Sequence, residues 1–368
     1  MGNFREFDFE KAEGLLLEWF RGNARKMRWR ETPTAYYIWI SEIMLQQTRV
    51  EAVRDYFDRF VEAVPDIRAL AEIPEEQLLK LWEGLGYYSR AKNLKKTAQI
   101  LVERADEAGV EPALPGSSAE LVKLPGIGPY TAGAIASNAF GERTASVDGN
   151  VLRVCMRLAG DPSDITLAQT RKDLTACLSA ALPAEQPGLM NQAWMELGAV
   201  VCLPNGEPQC GSCPLVGLCE AKRQGRIAEL PVKTPKKARR IEEMTVFLIT
   251  SKRGEGVKKE QLALLLRPAR GLLSDLYEFP NCPGSLSETE ALGWLSDCGF
   301  RVPAGALAAL PPAVHIFTHI EWHMTVYRAA AAAEGPDLMP DGRLIAWVDR
   351  ARLDRDYPLP TAFRKLLR

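Results

Sequence analysis

Over roughly the first two thirds of the chain, apolar residues recur at three-and-four spacing and stop at glycine or proline. DIRALAEIPEEQLLKLWEGL, AKNLKKTAQILVERADEAG and TLAQTRKDLTACLSAAL are examples, and each pattern predicts helix. ELPVKTPKKARRIEE breaks the rhythm. It is polar, basic and proline-containing, so it reads as a linker over 229–241. Beyond it TVFLIT, QLALLLR, HIEWHMTVY and LIAWVD predict strands, with helices over SETEALGWLSDCG and LPTAFRKLL. The expectation is a mainly α region over 1–228 and a small α+β domain over 242–368. No internal repeat is visible, and the only low-complexity stretch is AAAAAE near 329–334.

HIFTHIEWH contains all 3 histidines of the chain: His315, His319 and His323. On a helix this spacing would stack them for a shared metal. Here, however, Ile316, Ile320, Trp322, Met324 and Val326 alternate with Phe317, His319, Glu321, His323 and Thr325, a strand pattern. Successive histidines would then stand about 13 Å apart, whereas a zinc ligand stands about 2 Å from its ion. The metal reading fails, and Phe317-Thr318-His319 is left near the start of a strand.

With 368 residues, two domains are the natural expectation. Hydrophobic content of 46% and charge of 25% are ordinary for a globular protein. MGNFREFDFEKAEGLLLEWF lacks an apolar signal core and a myristoylation serine or threonine, and no run is long enough to span a membrane. A cytoplasmic protein is expected. The net charge of −1 does not announce a nucleic-acid partner. The basic runs RGNARKMRWR, SRAKNLKK and KTPKKARR read as solvated faces as readily as phosphate tracks.

Charge leaves DNA undecided, but four local motifs carry chemistry. Of 8 cysteines, Cys202, Cys210, Cys213 and Cys219 crowd into CLPNGEPQCGSCPLVGLC. Four thiolates in one loop can close around zinc or a [4Fe–4S] cluster, and spacing alone does not choose between them. LPGIGPYTAGAIASNAF places Gly126 and Gly128 in a tight turn before a helix of small residues. Such a turn can direct backbone N–H groups at a phosphate. SVDGNVLRV puts Asp148 and Asn150 in a common turn sequence. In WISEIMLQQTRV, Glu42 stands among Ile40, Ile43, Met44 and Leu45. A carboxylate there is either a surface group on an amphipathic helix or a half-buried acid with a raised pKa.

Taken in order, SEIMLQQT, WEGLGYYSRAKNL, LPGIGPYTAG, VDGNV, NQAWMELGA and the four-cysteine loop resemble the helix–hairpin–helix DNA glycosylases, and within them the MutY-type adenine DNA glycosylases. GLLSDLYEFPN and HIFTH resemble that family's Nudix-like domain, so the likeness covers nearly the whole chain. It implies a mainly α helix–hairpin–helix glycosylase domain with an iron–sulfur cluster loop over 202–219, plus a C-terminal α+β Nudix-like domain. The implied substrate is duplex DNA with adenine mispaired with 8-oxoguanine or guanine, bound between a helical barrel and a cluster-bearing helical domain. The implied enzyme is a monofunctional N-glycosylase acting as a monomer in the cytoplasm, on nucleoid DNA.

By the same resemblance Glu42 protonates the adenine at N7 and Asp148 steadies the cationic sugar, a division of labour shared with glycoside hydrolysis. Tyr130, Asn150, Arg30 and Glu196 match supporting positions. Gln47, Thr48, Leu85 and Tyr87 match DNA-contacting positions, with Gln47, Leu85 and Tyr87 wedging into the duplex as the base is flipped. Phe317, Thr318 and His319 match the 8-oxoguanine reader, and the four cysteines match the cluster ligands. There are three departures. The first cysteine gap is seven residues where six is usual, Thr318 replaces the usual serine, and no Nudix box stands near Gly271, so the domain reads as a recognition module. An endonuclease III-type glycosylase/lyase would carry a lysine where this chain has Tyr130. A catalytically silent damage-binding protein would not need Glu42 and Asp148.

Overall fold

The computed structural model describes residues 3–235, 238–252, 260–332 and 335–367. They form two compact units. The first joins Met1–Glu72 to Asn93–Pro235, and the second joins Ile73–Lys92 to Lys236–Arg368. Residues 73–92, read above with the helical region, thus pack with the C-terminal part.

The first unit is built from helices. Ala35–Leu45 is apolar almost all round, and Tyr36, Ile38, Trp39, Ile40, Ile43 and Met44 are buried, as a helix at the centre of a domain requires. Thr34 caps it by accepting the Tyr37 N–H at 3.0 Å. Pro129–Phe140 begins with proline in its first turn and ends at Gly141 in the left-handed region. A second core gathers the N-terminal residues Phe4 to Phe20, the Gly149–Ala159 and Pro187–Val200 helices and Leu215, with Cys202, Cys213 and Cys219 packed against it. The stretch read as a linker begins held to this unit. The Leu230 carbonyl accepts from Arg157 Nε at 2.8 Å, and that of Val232 accepts from the Ile165 N–H at 3.1 Å. Lys236 and Lys237 lie outside the described residues.

The helical run predicted over 66–85 is two helices, Ile67–Glu72 and Glu75–Leu81. Pro74 lacks an N–H and stands as the cap of the second. The boundary between the units falls at the same place.

The second unit is a sheet of β1 (Arg240–Ser251), β2 (Gln261–Leu266), β3 (Tyr277–Glu278), β4 (Asn281–Pro283), β5 (Leu307–Ile316), β6 (Ile320–Ala330) and β7 (Ile345–Asp349). The order is β3-β2-β1-β6-β5, with β4 paired to β1 and β7 to β2. β1 and β6 run parallel, and the other pairs are antiparallel. Both faces are covered. Val246 and Leu248 enter a core with Trp322, Met324 and Phe363. Phe247 and Ile249 enter another with Leu295, Tyr327 and Ile345. This is why β1 reads as an unbroken apolar run.

HIFTHIEWH is not one strand but the end of β5, a turn, and the start of β6. The alternation runs through the turn unmarked because Phe317-Thr318-His319 contains no glycine or proline. β5 itself escaped prediction because Pro311 and Pro312 interrupt it, at a register shift between Leu310 and Ala313. His315 pairs with Trp322 and His323 with Val314, so the two side chains project from opposite faces. Among the described residues, no helix is long and apolar enough to cross a membrane.

Candidate active site

Helices and turns of the first unit surround a cleft of about 970 Å³. Arg30, Glu42, Gln47, Thr48, Gly128, Tyr130, Asp148, Asn150 and Glu196 all line it. Residues more than 160 positions apart in sequence therefore share one wall.

Glu42 projects from the apolar Ala35–Leu45 helix, and its Oε2 atom is buried with no hydrogen-bond partner. Burial pushes its pKa up to about 7. The Tyr130 hydroxyl opposes that shift, and the Asp148 charge adds to it. Tyr130 itself is held far above its ordinary value, first by burial and then by the two carboxylates, so the phenol stays neutral.

Asp148 is the cap of the Gly149–Ala159 helix. Its Oδ1 accepts the Asn150 and Val151 N–H groups, each at 2.8 Å, and its Oδ2 accepts the Asn150 amide at 2.8 Å. Burial raises its pKa above the ordinary carboxylate value, and these donors offset only part of that rise. What the sequence offered as a common turn is a helix start that holds a carboxylate at the cleft.

Glu196 shows the opposite outcome of burial. It is 1% exposed. Desolvation alone would raise its pKa, but hydrogen bonds from Arg25 and the nearby Arg30 outweigh it and hold the carboxyl below its ordinary value. Arg25 Nε stands 2.7 Å from Glu196 Oε1, and Arg30 Nη2 stands 3.0 Å from Oε2. Sequence reading placed Arg30 here and missed Arg25, which had been counted in a basic run with no sign of its distant partner.

The hairpin glycines differ. Gly126 has φ +75°, and a Cβ there would meet the Asn93 side chain at 2.7 Å, so only glycine fits. Gly128 has φ −83° and caps the following helix, and a Cβ there would meet nothing within 4 Å. Gln47 and Tyr87 are exposed and both hold positive φ, at +59° and +48°. Non-glycine residues rarely rest there, and such strain gathers at functional sites. Leu85 departs from the wedge expectation. It is only 6% exposed, in the turn before Gly86, and presents little surface to a duplex.

Leu85, Tyr87, Phe317, Thr318 and His319 belong to the second unit. Phe317 packs on His315 and Trp322, with ring centroids 4.6 and 4.8 Å away. This gives His315 a structural place that its sequence did not. Thr318 and His319 are exposed, and Thr318 Oγ1 lies 2.7 Å from the Tyr87 hydroxyl.

The four cysteines line one small hollow of about 30 Å³ with mainly aliphatic neighbours, including Val154, Leu158 and Leu197. Short 3₁₀ turns, Cys210–Ser212 and Val216–Leu218, bring them around it. The long first gap is absorbed outward. The Gln209 N–H closes on the Val201 carbonyl at 2.9 Å, and 204–207 form an exposed loop with Gly206 at φ +72°. Arg157 Nη1 lies 3.3 Å from Cys202 Sγ. Arg153, unforeseen from sequence, joins the Cys202 carbonyl to Asn150 Oδ1, both at 2.8 Å. Among the described residues, no three His, Cys, Asp or Glu side chains converge on a site for one ion. Four thiols lining one hollow are a donor set of the soft-metal type.

Residues 40–179 match the HhH-GPD superfamily of base excision DNA repair proteins, and residues 254–368 match the NUDIX domain. The adenine DNA glycosylase of Rattus norvegicus is 33% identical over 404 residues, covering 96% of this chain and 76% of that protein. The one from Buchnera aphidicola subsp. Schizaphis graminum (strain Sg) is 38% identical over 224 residues, covering 61% of this chain and 63% of that protein. A solved thermostable thymine-DNA glycosylase aligns with a TM-score of 0.52 at 26% identity, covering 58% of this chain and 97% of that one. The expected fold, a helical glycosylase domain followed by a Nudix-like domain, is borne out. With a glycosylase relative that is 33% identical aligned along 96% of this chain, the chain belongs to the adenine DNA glycosylase family of base excision repair proteins.

Proposed function

We propose that the protein excises adenine mispaired with 8-oxoguanine, or with guanine, from duplex DNA, and does so as a monofunctional N-glycosylase. One observation carries this reading. The cleft sets two enclosed carboxylates in unlike surroundings, Glu42 with an unsatisfied oxygen and Asp148 held by three donors, and no lysine is among its lining residues.

The chemistry follows from that inequality. With a pKa near 7, Glu42 retains a proton in a useful fraction of molecules at neutral pH. Delivered to N7 of a flipped-out adenine, the proton lets the C1′–N9 bond break with its electron pair leaving on a neutral base. Asp148, whose three donors favour the ionised form, opposes the positive charge left on the sugar. Water then adds to C1′ and its proton returns to Glu42, so the acid is regenerated. Tyr130 stays neutral beside Glu42, and Glu196 with Arg25 and Arg30 supplies a fixed polar wall. Tyrosine at position 130 offers no amine for a Schiff base.

In the second unit, the exposed Thr318 hydroxyl in the Phe317-Thr318-His319 turn suits a reader of the 8-oxoguanine edge. Gln47, Thr48 and Tyr87 are the DNA-contacting groups. Cys202, Cys210, Cys213 and Cys219 would hold a [4Fe–4S] cluster, whose contribution is to staple the loop. The protein acts as a monomer on nucleoid DNA in the cytoplasm.

Single-turnover excision on duplexes carrying adenine opposite 8-oxoguanine, adenine opposite guanine, or an oxidised pyrimidine tests the reading. The first should react fastest and the last not at all, with no borohydride-trapped covalent adduct. Efficient trapping, or preference for the pyrimidine, would overturn it.

A further inference from the structure

Arg90 belongs to the run SRAKNLKK, which reads as a solvated basic face, yet it is 8% exposed. Its guanidinium turns back over the segment before it. Nη2 donates to the carbonyls of Leu85 and Gly86, each at 2.9 Å, and Nε reaches the Tyr87 carbonyl at 3.4 Å. Three consecutive carbonyls therefore converge on one side chain. The same turn is conformationally costly, with Gly84, Gly86 and Tyr87 at φ +103°, +69° and +48°. Tyrosine has no intrinsic preference for that region, so something must hold it there. The Arg90 guanidinium also lies 5.6 Å from the Tyr87 ring centroid and 5.2 Å from that of Trp82. Trp82 Nε1 donates to the Gly86 carbonyl at 3.1 Å, completing the frame.

We infer that Arg90 is a positioning residue that keeps the Tyr87 turn in its strained conformation before DNA arrives, so that the exposed aromatic ring enters the duplex already ordered. Freezing that turn in advance removes an ordering cost from the base-flipping step. Arginine suits the task because its planar fork can serve several carbonyls and stack on a ring at once, whereas lysine offers a point charge. The inference rests on the proposed role of Tyr87 as a duplex-entering group.

The test measures binding and single-turnover excision for Arg90→Met, Arg90→Lys, Tyr87→Ala and the Tyr87→Ala/Arg90→Met pair, in the full chain. Two substrates are compared: an intact duplex, and one whose target adenine is pre-loosened by flanking mismatches. Arg90→Met should weaken capture of the intact duplex by about tenfold, with Arg90→Lys recovering only part. On the loosened duplex the loss should shrink, because less flipping work remains. In the absence of Tyr87, removing Arg90 should change binding little further. An equal loss on both substrates, or a full additional loss in the Tyr87→Ala background, would overturn the inference. Unchanged binding by Tyr87→Ala alone would overturn the role of Tyr87 instead. If Arg90→Met does not fold, Arg90→Lys on the two substrates decides alone.

Discussion

The cleft of the helical unit and the turns of the sheet unit place functional groups in opposite surroundings. Glu42 has an oxygen sealed from solvent and without a partner, while Thr318 and His319 stand exposed at the tip of a hairpin. The contrast follows from the work proposed for each. An acid must have its proton affinity moved toward neutrality, and here burial is the largest cause of that shift. A reader of a base edge must remain reachable, and its hydroxyl needs no pKa shift. The held groups differ too. Glu196 is buried and kept charged by two arginines, whereas the Tyr87 turn is exposed but braced from beneath by Arg90.

If burial makes Glu42 the acid, an isosteric replacement that cannot give a proton should have the largest effect. Glu42→Gln should lower single-turnover excision by about 10²–10⁴-fold or more while gel-shift affinity for the mispaired duplex is kept. Excision like that of the wild type would refute the assignment. On the same unit, Cys213→Ser should act on folding rather than chemistry. The expected result is low soluble yield and less bound iron and acid-labile sulfide, with excision per loaded molecule within about tenfold of normal. A colourless wild-type protein holding one zinc would end the cluster proposal.

The exposed side of the comparison predicts a smaller and more selective effect. Thr318→Ala with His319→Ala should erode the preference for 8-oxoguanine over guanine opposite adenine by about one to two orders of magnitude, leaving the rate of the protonation step alone. Undiminished discrimination would move the reader elsewhere. The mildest lever is pH. Burial holds the Glu42 pKa up to about 7, and the protonated form is the competent one. Excision should therefore fall by at most about tenfold per unit above pH 7, and should fall again on the acid side as Asp148, whose pKa burial raises, takes up a proton. A rate that rises through this range would mean that the deprotonated form acts.

What could be read in the chain was local. Glu42 among isoleucines, leucine and methionine, four cysteines within one loop, the glycine hairpin and the period-two segments each carry their meaning within a few residues, because hydrophobic period and turn chemistry are local properties. Packing decided the rest. Arg25 and Glu196 are 171 positions apart and pair across the cleft. Asp148, an ordinary turn residue by sequence, becomes a helix cap at the cleft. Leu85, matched to a duplex wedge, is buried, and Arg90, in a basic run, lies beneath a strained turn. Residues 73–92 follow the sheet unit although the chain enters them from a helix of the other. Pattern alone could not assign these, because burial and long-range pairing depend on which surfaces meet, and a charged residue's neighbours in space determine whether it is solvated, paired or used.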